Sequence, residues 1–207
     1  MRDDAERFEV EGLTVRILQD EDCQSPREYD NLGTMVCWHR NYKLGDEHEF
    51  DSPEDFETFV KDKTNGVAIV LPLYLYDHSG ISMSTGRGYP YCDPWDAGQV
   101  GYIYITRDKM KAEYSVKRIG KKLIERVTGY LRGEVEEYDR FIMGECYGYI
   151  VEDAEGNDLD SCWGFIGADW VKGEATRAAK YCAESRAKEH TEQLEREATS
   201  AGDVPLS

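Results

Sequence analysis

The sequence predicts an α+β fold: a single domain, a mainly antiparallel sheet of about five to seven strands packed by a central amphipathic helix, and a long C-terminal helix. Three observations predict it. Short apolar runs of strand composition follow one another through the first half with little helical pattern between them, which favours antiparallel neighbours. Residues 115–142 carry apolar side chains at helical spacing. Beyond residue 168 the chain turns Ala-rich, with charged pairs at i,i+4. The expected organisation is an α+β core over 1–168, a helical extension over 169–199 and a disordered tail over 200–207.

Taken in order, residues 1–7 read as a charged, frayed lead-in. Phe8, Val10, Leu13, Val15 and Ile17 then alternate as one or two half-buried strands around a turn or bulge at Gly12. Residues 32–39 form a buried strand. Ser52 followed by Pro53 marks a helix start, because Ser52 can cap and the missing N–H of Pro53 costs nothing in the first turn. Phe56, Phe59 and Val60 give that helix its apolar side, and Asn65 and Gly66 end it. Two strong strand runs, 67–76 and 100–106, enclose a loop of His, Ser, Gly, Tyr, Cys, Asp and Trp. Pro72 places the first of them at an edge or bulge.

The helix expected over 115–142, capped by Ser115, has Val116, Ile119, Leu123, Ile124, Val127, Tyr130, Leu131, Val135 and Tyr138 at apolar positions recurring in helical steps. Gly129 and Gly133 are places where it would break. Its charges oppose the helix dipole: Lys117, Arg118, Lys121, Lys122 and Arg126 lie early, Glu134, Glu136, Glu137 and Asp139 late. Pairing with the acidic N-terminal third would compensate; a basic patch that meets a partner or anion is the alternative. Two further strands, 146–151 and 161–166, form a hairpin around Glu155, Gly156 and Asn157. Residues 141–168 contain six acids and no Lys or Arg.

The chain is 207 residues long, with 40% hydrophobic residues, 14 tyrosines and a net charge of -17. The composition excludes a disordered chain, and the charge argues against direct nucleic-acid binding, which depends on neutralising phosphates. Acidity favours solvation, a cationic partner or a multivalent metal. The six cysteines form no C-x-x-C pair, no apolar run reaches the length of a membrane span, and the start lacks a secretory signal's apolar segment. Reduced thiols in a cytoplasm are the expectation.

Candidate chemistry is sparse. Cys37, His39, His48, His78 and Cys92 are the right ligand types for zinc, and Cys37-x-His39 on a strand shares one face, but tight ligand pairs are missing. Asp20, Asp22, Asp30, Asp46, Asp77, Asp93 and Asp96 could offer oxygens to magnesium or calcium, without the spacing of a calcium loop. Ser82, Ser84 or Cys92 could meet His78 or His39, yet no G-x-S-x-G elbow frames a nucleophile. The STGRGYP stretch has no phosphate-binding lysine. No catalytic residue and no cofactor is therefore expected, a divalent metal being the alternative. The loop is better read as a recognition surface, with His78, Tyr89, Tyr91, Asp93, Trp95 and Asp96 as its contact residues.

Three stretches, YDNLGTMVCWHRNYKLGDEH (29–48), LPLYLYDHSGISMSTGRGYPYCDPWDAGQVGYIYIT (71–106) and CYGYIVEDAEGNDLDSCWGFIG (146–167), resemble a family of small acidic proteins encoded by bacteriophages, prophages and plasmids. The resemblance implies expression in a bacterial cytoplasm and carries no activity onto particular residues. The expected function is a non-enzymatic accessory protein that binds and modulates a host or defence protein bearing a basic surface, with nucleic-acid mimicry as one means. A small metal-dependent or nucleotide-processing enzyme with its site on residues 77–96, and a structural or assembly protein, are the alternatives.

Overall fold

The computed structural model describes residues 4–86 and 97–201, with side chains through residue 197. In chain order the elements are β1 (Asp4–Val10), β2 (Leu13–Gln19), β3 (Thr34–Cys37), α1 (Pro53–Lys61), β4 (Val67–Asp77), β5 (Ile81–Ser84), β6 (Ala97–Thr106), α2 (Arg107–Glu113), α3 (Lys121–Ile142), β7 (Cys146–Glu152), β8 (Asp158–Ile166) and α4 (Ala168–Ala201). The fold is α+β, and its strands form two antiparallel sheets of four, ordered β1-β2-β7-β8 and β3-β6-β4-β5. The expected single sheet is thus two. Each belongs to its own compact unit: residues 1–23 with 145–207, and residues 24–144.

The first unit begins with a tight hairpin. Val10 pairs with Leu13, so only Glu11 and Gly12 form the turn, and both have positive φ (51° and 79°). Two positive φ values are what a two-residue turn needs to match strand twist. The strand starts at Asp4 rather than at Phe8, because the lead-in is tied down: Asp4 pairs with Arg16, and Glu6 with Lys172. Leu13, Val15 and Ile17 of β2 and Tyr149 and Val151 of β7 form a buried face, on which α4 lays Val171, Ala175 and Ala179, each 0% exposed. Small residues let the helix approach the sheet closely. The first three turns of α4 are therefore core of this unit rather than an appended extension, and only its later turns project. The β7–β8 turn is fixed by Asp153, whose carboxylate accepts from the Glu155 and Asn157 amides and from Arg186.

In the second unit, α3 packs on one face of the sheet. Val127, Leu131, Val135 and Tyr138 meet Met35, Ile103, Ile105, Leu73, Leu75 and Met83. At about 1.5–3 kcal/mol for each large apolar side chain, this face dominates the unit's stability. The opposite face is covered by α1, capped by Ser52 (Asp55 N to Ser52 Oγ, 3.2 Å). Phe56, fully buried, has ring centroids 5.0 Å from Tyr102, 5.1 Å from Tyr104 and 5.2 Å from Phe50. Pro72 sits on β4 opposite Tyr102 of β6, where β5, paired only with Tyr74–Asp77, does not reach; a register irregularity follows at Leu73/Tyr74.

Three local expectations need correction here. The central helix begins at Lys121, not Ser115: Ser115 has φ 49°, outside the helical region, and α2, capped by Thr106, precedes it as a separate helix. Gly129 and Gly133 do not break α3. And β5 occupies part of what reads as a loop.

Candidate functional site

A buried arginine organises the segment that leads into β3. Arg27, with a side chain 5% exposed, donates to both oxygens of Asp46 (2.8 and 2.7 Å), to Glu134 of α3 (3.0 Å) and to the Gly33 carbonyl (2.7 Å). Glu134 also accepts from the Leu32 amide (2.7 Å), and Asp46 from the Met35 amide (2.8 Å). Burial alone would lower the affinity of the guanidinium for its proton, but the two carboxylates raise it. Every member has its partners, so this is a structural clamp that holds residues 26–46 against α3.

The segment after β3 encloses a groove of about 920 Å³ whose walls include Trp38, His39, Tyr42 and His48. His39 stacks on Tyr42 (centroids 4.9 Å, 11°), and its Nδ1 accepts from the Asn41 amide. His48 Nε2 lies 3.1 Å from the Cys37 carbonyl, which can only accept, so the proton sits on Nε2. Nδ1 of His48 is buried with no hydrogen-bond partner among the described residues. Burial, with the nearby Asp46, pushes the Cys37 thiol up to about 12, so without a bound cation it is protonated at neutral pH. Cys37, His39, His48 and His78 do not converge: among the described residues no three His, Cys, Asp or Glu side chains are grouped to hold a metal.

His78 follows β4 at the turn into β5. It is exposed, its amide donates to the Gly80 carbonyl (3.1 Å), and its ring lies 6.2 Å from that of Tyr76. Tyr89, Tyr91, Cys92, Asp93, Trp95 and Asp96, the rest of the expected recognition surface and metal set, lie outside the described residues. Ser82 and Ser84 lie on β5.

The unit boundaries expose a feature of the charge that the total conceals. Residues 1–23 and 145–207 hold 22 Asp and Glu against 9 Lys and Arg, a net of -13; residues 24–144 hold 20 against 16, a net of -4. The acidic unit also displays large aromatic side chains. Trp170 is 66% and Tyr181 72% exposed. Eleven residues apart on α4, they lie about three turns and 16 Å apart on one side of the helix. On β8, Trp163 is 40% exposed and its ring lies over Gly148, where a Cβ would strike it.

Within the other unit, residues 107–132 run against the trend, with nine Lys and Arg and three Asp and Glu. Lys121 and Lys122 occupy the first turn of α3, which has no acidic residue and no side-chain cap. Lys121 pairs with Glu125 of the same helix and Arg126 lies over the Tyr114 ring, so the N-terminal cations draw these partners from α3 and from the segment just before it rather than from the acidic N-terminal third. Late in α3 two of the four acids find partners elsewhere in the unit, Glu134 in Arg27 and Asp139 in the Met83 amide (2.6 Å). No sequence signal finds the Arg27 clamp, since its partners stand 19 and 107 residues away.

The class these observations define is an α+β protein with segregated surface charge and aromatic side chains exposed on its acidic unit. No family model, no curated protein and no solved structure matches the chain. Among the described residues, no helix is long and apolar enough to cross a membrane.

Proposed function

We propose that the protein is a non-enzymatic accessory protein of a bacteriophage or plasmid, acting in the bacterial cytoplasm, that binds a host or defence protein through its acidic unit. The observation that carries this reading is the concentration of charge: -13 of the total of -17 belongs to 86 residues. Acidity that served solvation alone would have no reason to favour one unit. A patterned field of one sign steers a partner of the opposite sign and selects against others. The exposed rings of Trp170 and Tyr181 add the rigid, amphipathic area that charge alone lacks, and such residues carry much of the energy of protein interfaces. The partner is a protein with a basic surface, of the kind that nucleic-acid-binding proteins present. Occupying it would make the acidic unit a competitor of nucleic acid.

Affinity capture with the full chain from phage-infected or plasmid-bearing bacteria tests this. The captured protein should be basic, should dissociate as salt is raised, should be displaced by added nucleic acid, and should be lost with Trp170→Ser/Tyr181→Ser while the chain stays folded. A partner held equally well at high salt and by that double variant would contradict the reading.

A further inference from the structure

The cationic segment of residues 107–132 calls for a separate explanation, independent of the acidic unit. In a chain of net charge -17 it carries nine bases and three acids, and they lie on consecutive elements: Arg107, Lys109 and Lys111 on α2, Lys117 and Arg118 in the connection, and Lys121, Lys122, Arg126 and Arg132 on α3. Two have acidic partners three or four residues away on their own helix, Lys111 with Asp108 and Lys121 with Glu125. Lys117, Arg118, Lys122 and Arg126 are exposed. Like charges crowded at the start of α3, against its dipole, lower the stability of the free protein and are relieved by a bound anion.

Beside these cations lies a groove of about 590 Å³, walled by Tyr114 and Tyr130, with Gly129 and Gly133 of α3 in its lining. Nothing lies within 4 Å of where a Cβ would stand on either glycine, so the space over the helix is open. Lys122, Arg126, Gly129 and Gly133 recur at steps of four, three and four, which aligns them in one stripe along the solvent side of α3. Arg126 joins the two features, its guanidinium 4.6 Å from the centre of the Tyr114 ring. Tyr130 is 52% exposed. Cations along a track with aromatic rings beside it are the pattern that holds phosphates and stacks bases. Asp30 and Glu113, also in the groove wall, would repel a phosphate but can accept from the amino and imino groups of a base.

We propose that the α2–α3 face binds single-stranded nucleic acid, with the phosphate backbone along Lys117, Arg118, Lys122 and Arg126 and a base in the groove between Tyr114 and Tyr130. The reading rests on the second unit alone, so it stands or falls apart from the proposed function of the acidic unit. Duplex is disfavoured because its bases cannot enter the groove. A second copy of this chain could also present an anionic surface, and salt-sensitive self-association distinguishes that case.

Fluorescence anisotropy of the full chain with a labelled oligothymidylate of about 16 nucleotides is the test, read against a duplex of the same length. At about 50 mM salt the single strand should bind at a concentration below about 100 µM and weaken steeply as salt rises. Lys117→Glu/Lys122→Glu should weaken it more than about tenfold and flatten the salt dependence by one to two phosphate contacts, at about 0.7 in log–log slope each. Because Lys122→Glu puts an acid in the first turn of α3, the same variant should melt at a higher temperature, so loss of binding cannot be loss of fold. Gly129→Leu, which fills open space and favours the helix, should weaken single-strand binding while leaving the salt slope unchanged. Absence of binding, equal affinity for duplex, or indifference to either variant would overturn the proposal. So would a salt-sensitive self-association that Lys117→Glu/Lys122→Glu abolishes in place of oligonucleotide binding.

Discussion

Arg27 and Asp139 show how single side chains fix the second unit. Removing the guanidinium would leave Asp46 and Glu134 charged and short of donors, so Arg27→Met should destabilise by about 3–5 kcal/mol, read from the denaturant midpoint. Asp139 behaves in the opposite sense. Its carboxylate is half-buried, and burial holds its pKa above the ordinary value despite the Met83 amide it accepts from. An acid whose pKa is raised on folding costs nothing while protonated in both states; the cost sets in as pH rises through the unfolded value, about 3.9, and is complete above the folded one. Asp139→Asn keeps an acceptor for Met83 and removes that charge. It should therefore raise the melting temperature at pH 7 and leave it unchanged near pH 3. An equal effect at both would show that packing, not ionisation, is responsible. The sequence shows both acids standing where the helix dipole disfavours them, but their partners lie 107 and 56 residues away, beyond any local pattern.

Among the elements, those with local punctuation were legible. Ser52-Pro53 caps α1 as expected, and Gly12 and Gly156 sit at hairpin turns with positive φ. The start of α3 was not, because apolar periodicity continues upstream of the helix: Ile119 packs on the same core from the connection before it. Only the positive φ of Ser115 and the cap of a separate short helix distinguish the two cases, and neither is encoded in spacing. The four residues of β5, Ile-Ser-Met-Ser, do alternate, but at the shortest length that carries the pattern and beside the turn residues Ser79 and Gly80; they are placed by pairing with Tyr74–Asp77. The role of α1 is plainer, since it supplies one fully buried ring to the aromatic layer. Phe56→Ala should cost about 3–5 kcal/mol by calorimetry; a loss below 1 kcal/mol would mean that the layer is not part of the cooperative core.

For the whole molecule, composition disclosed a charge of -17 and could not disclose its partition, because the two units interleave in sequence. The acidic unit is assembled from both ends of the chain, and its net of -13 emerges only when β1 and β2 are counted with β7, β8 and α4. The expected recognition loop is a different kind of case: apart from His78, its named residues lie outside the described part of the chain. Hydrogen–deuterium exchange on the full chain, alone and saturated with its captured basic partner, distinguishes recognition by the acidic unit from recognition elsewhere. Protection gathered on residues 1–23 and 145–197, strongest around Trp170 and Tyr181, is the predicted result. Protection confined to residues 67–106 or 107–133, with α4 exchanging as in the unbound protein, would contradict it.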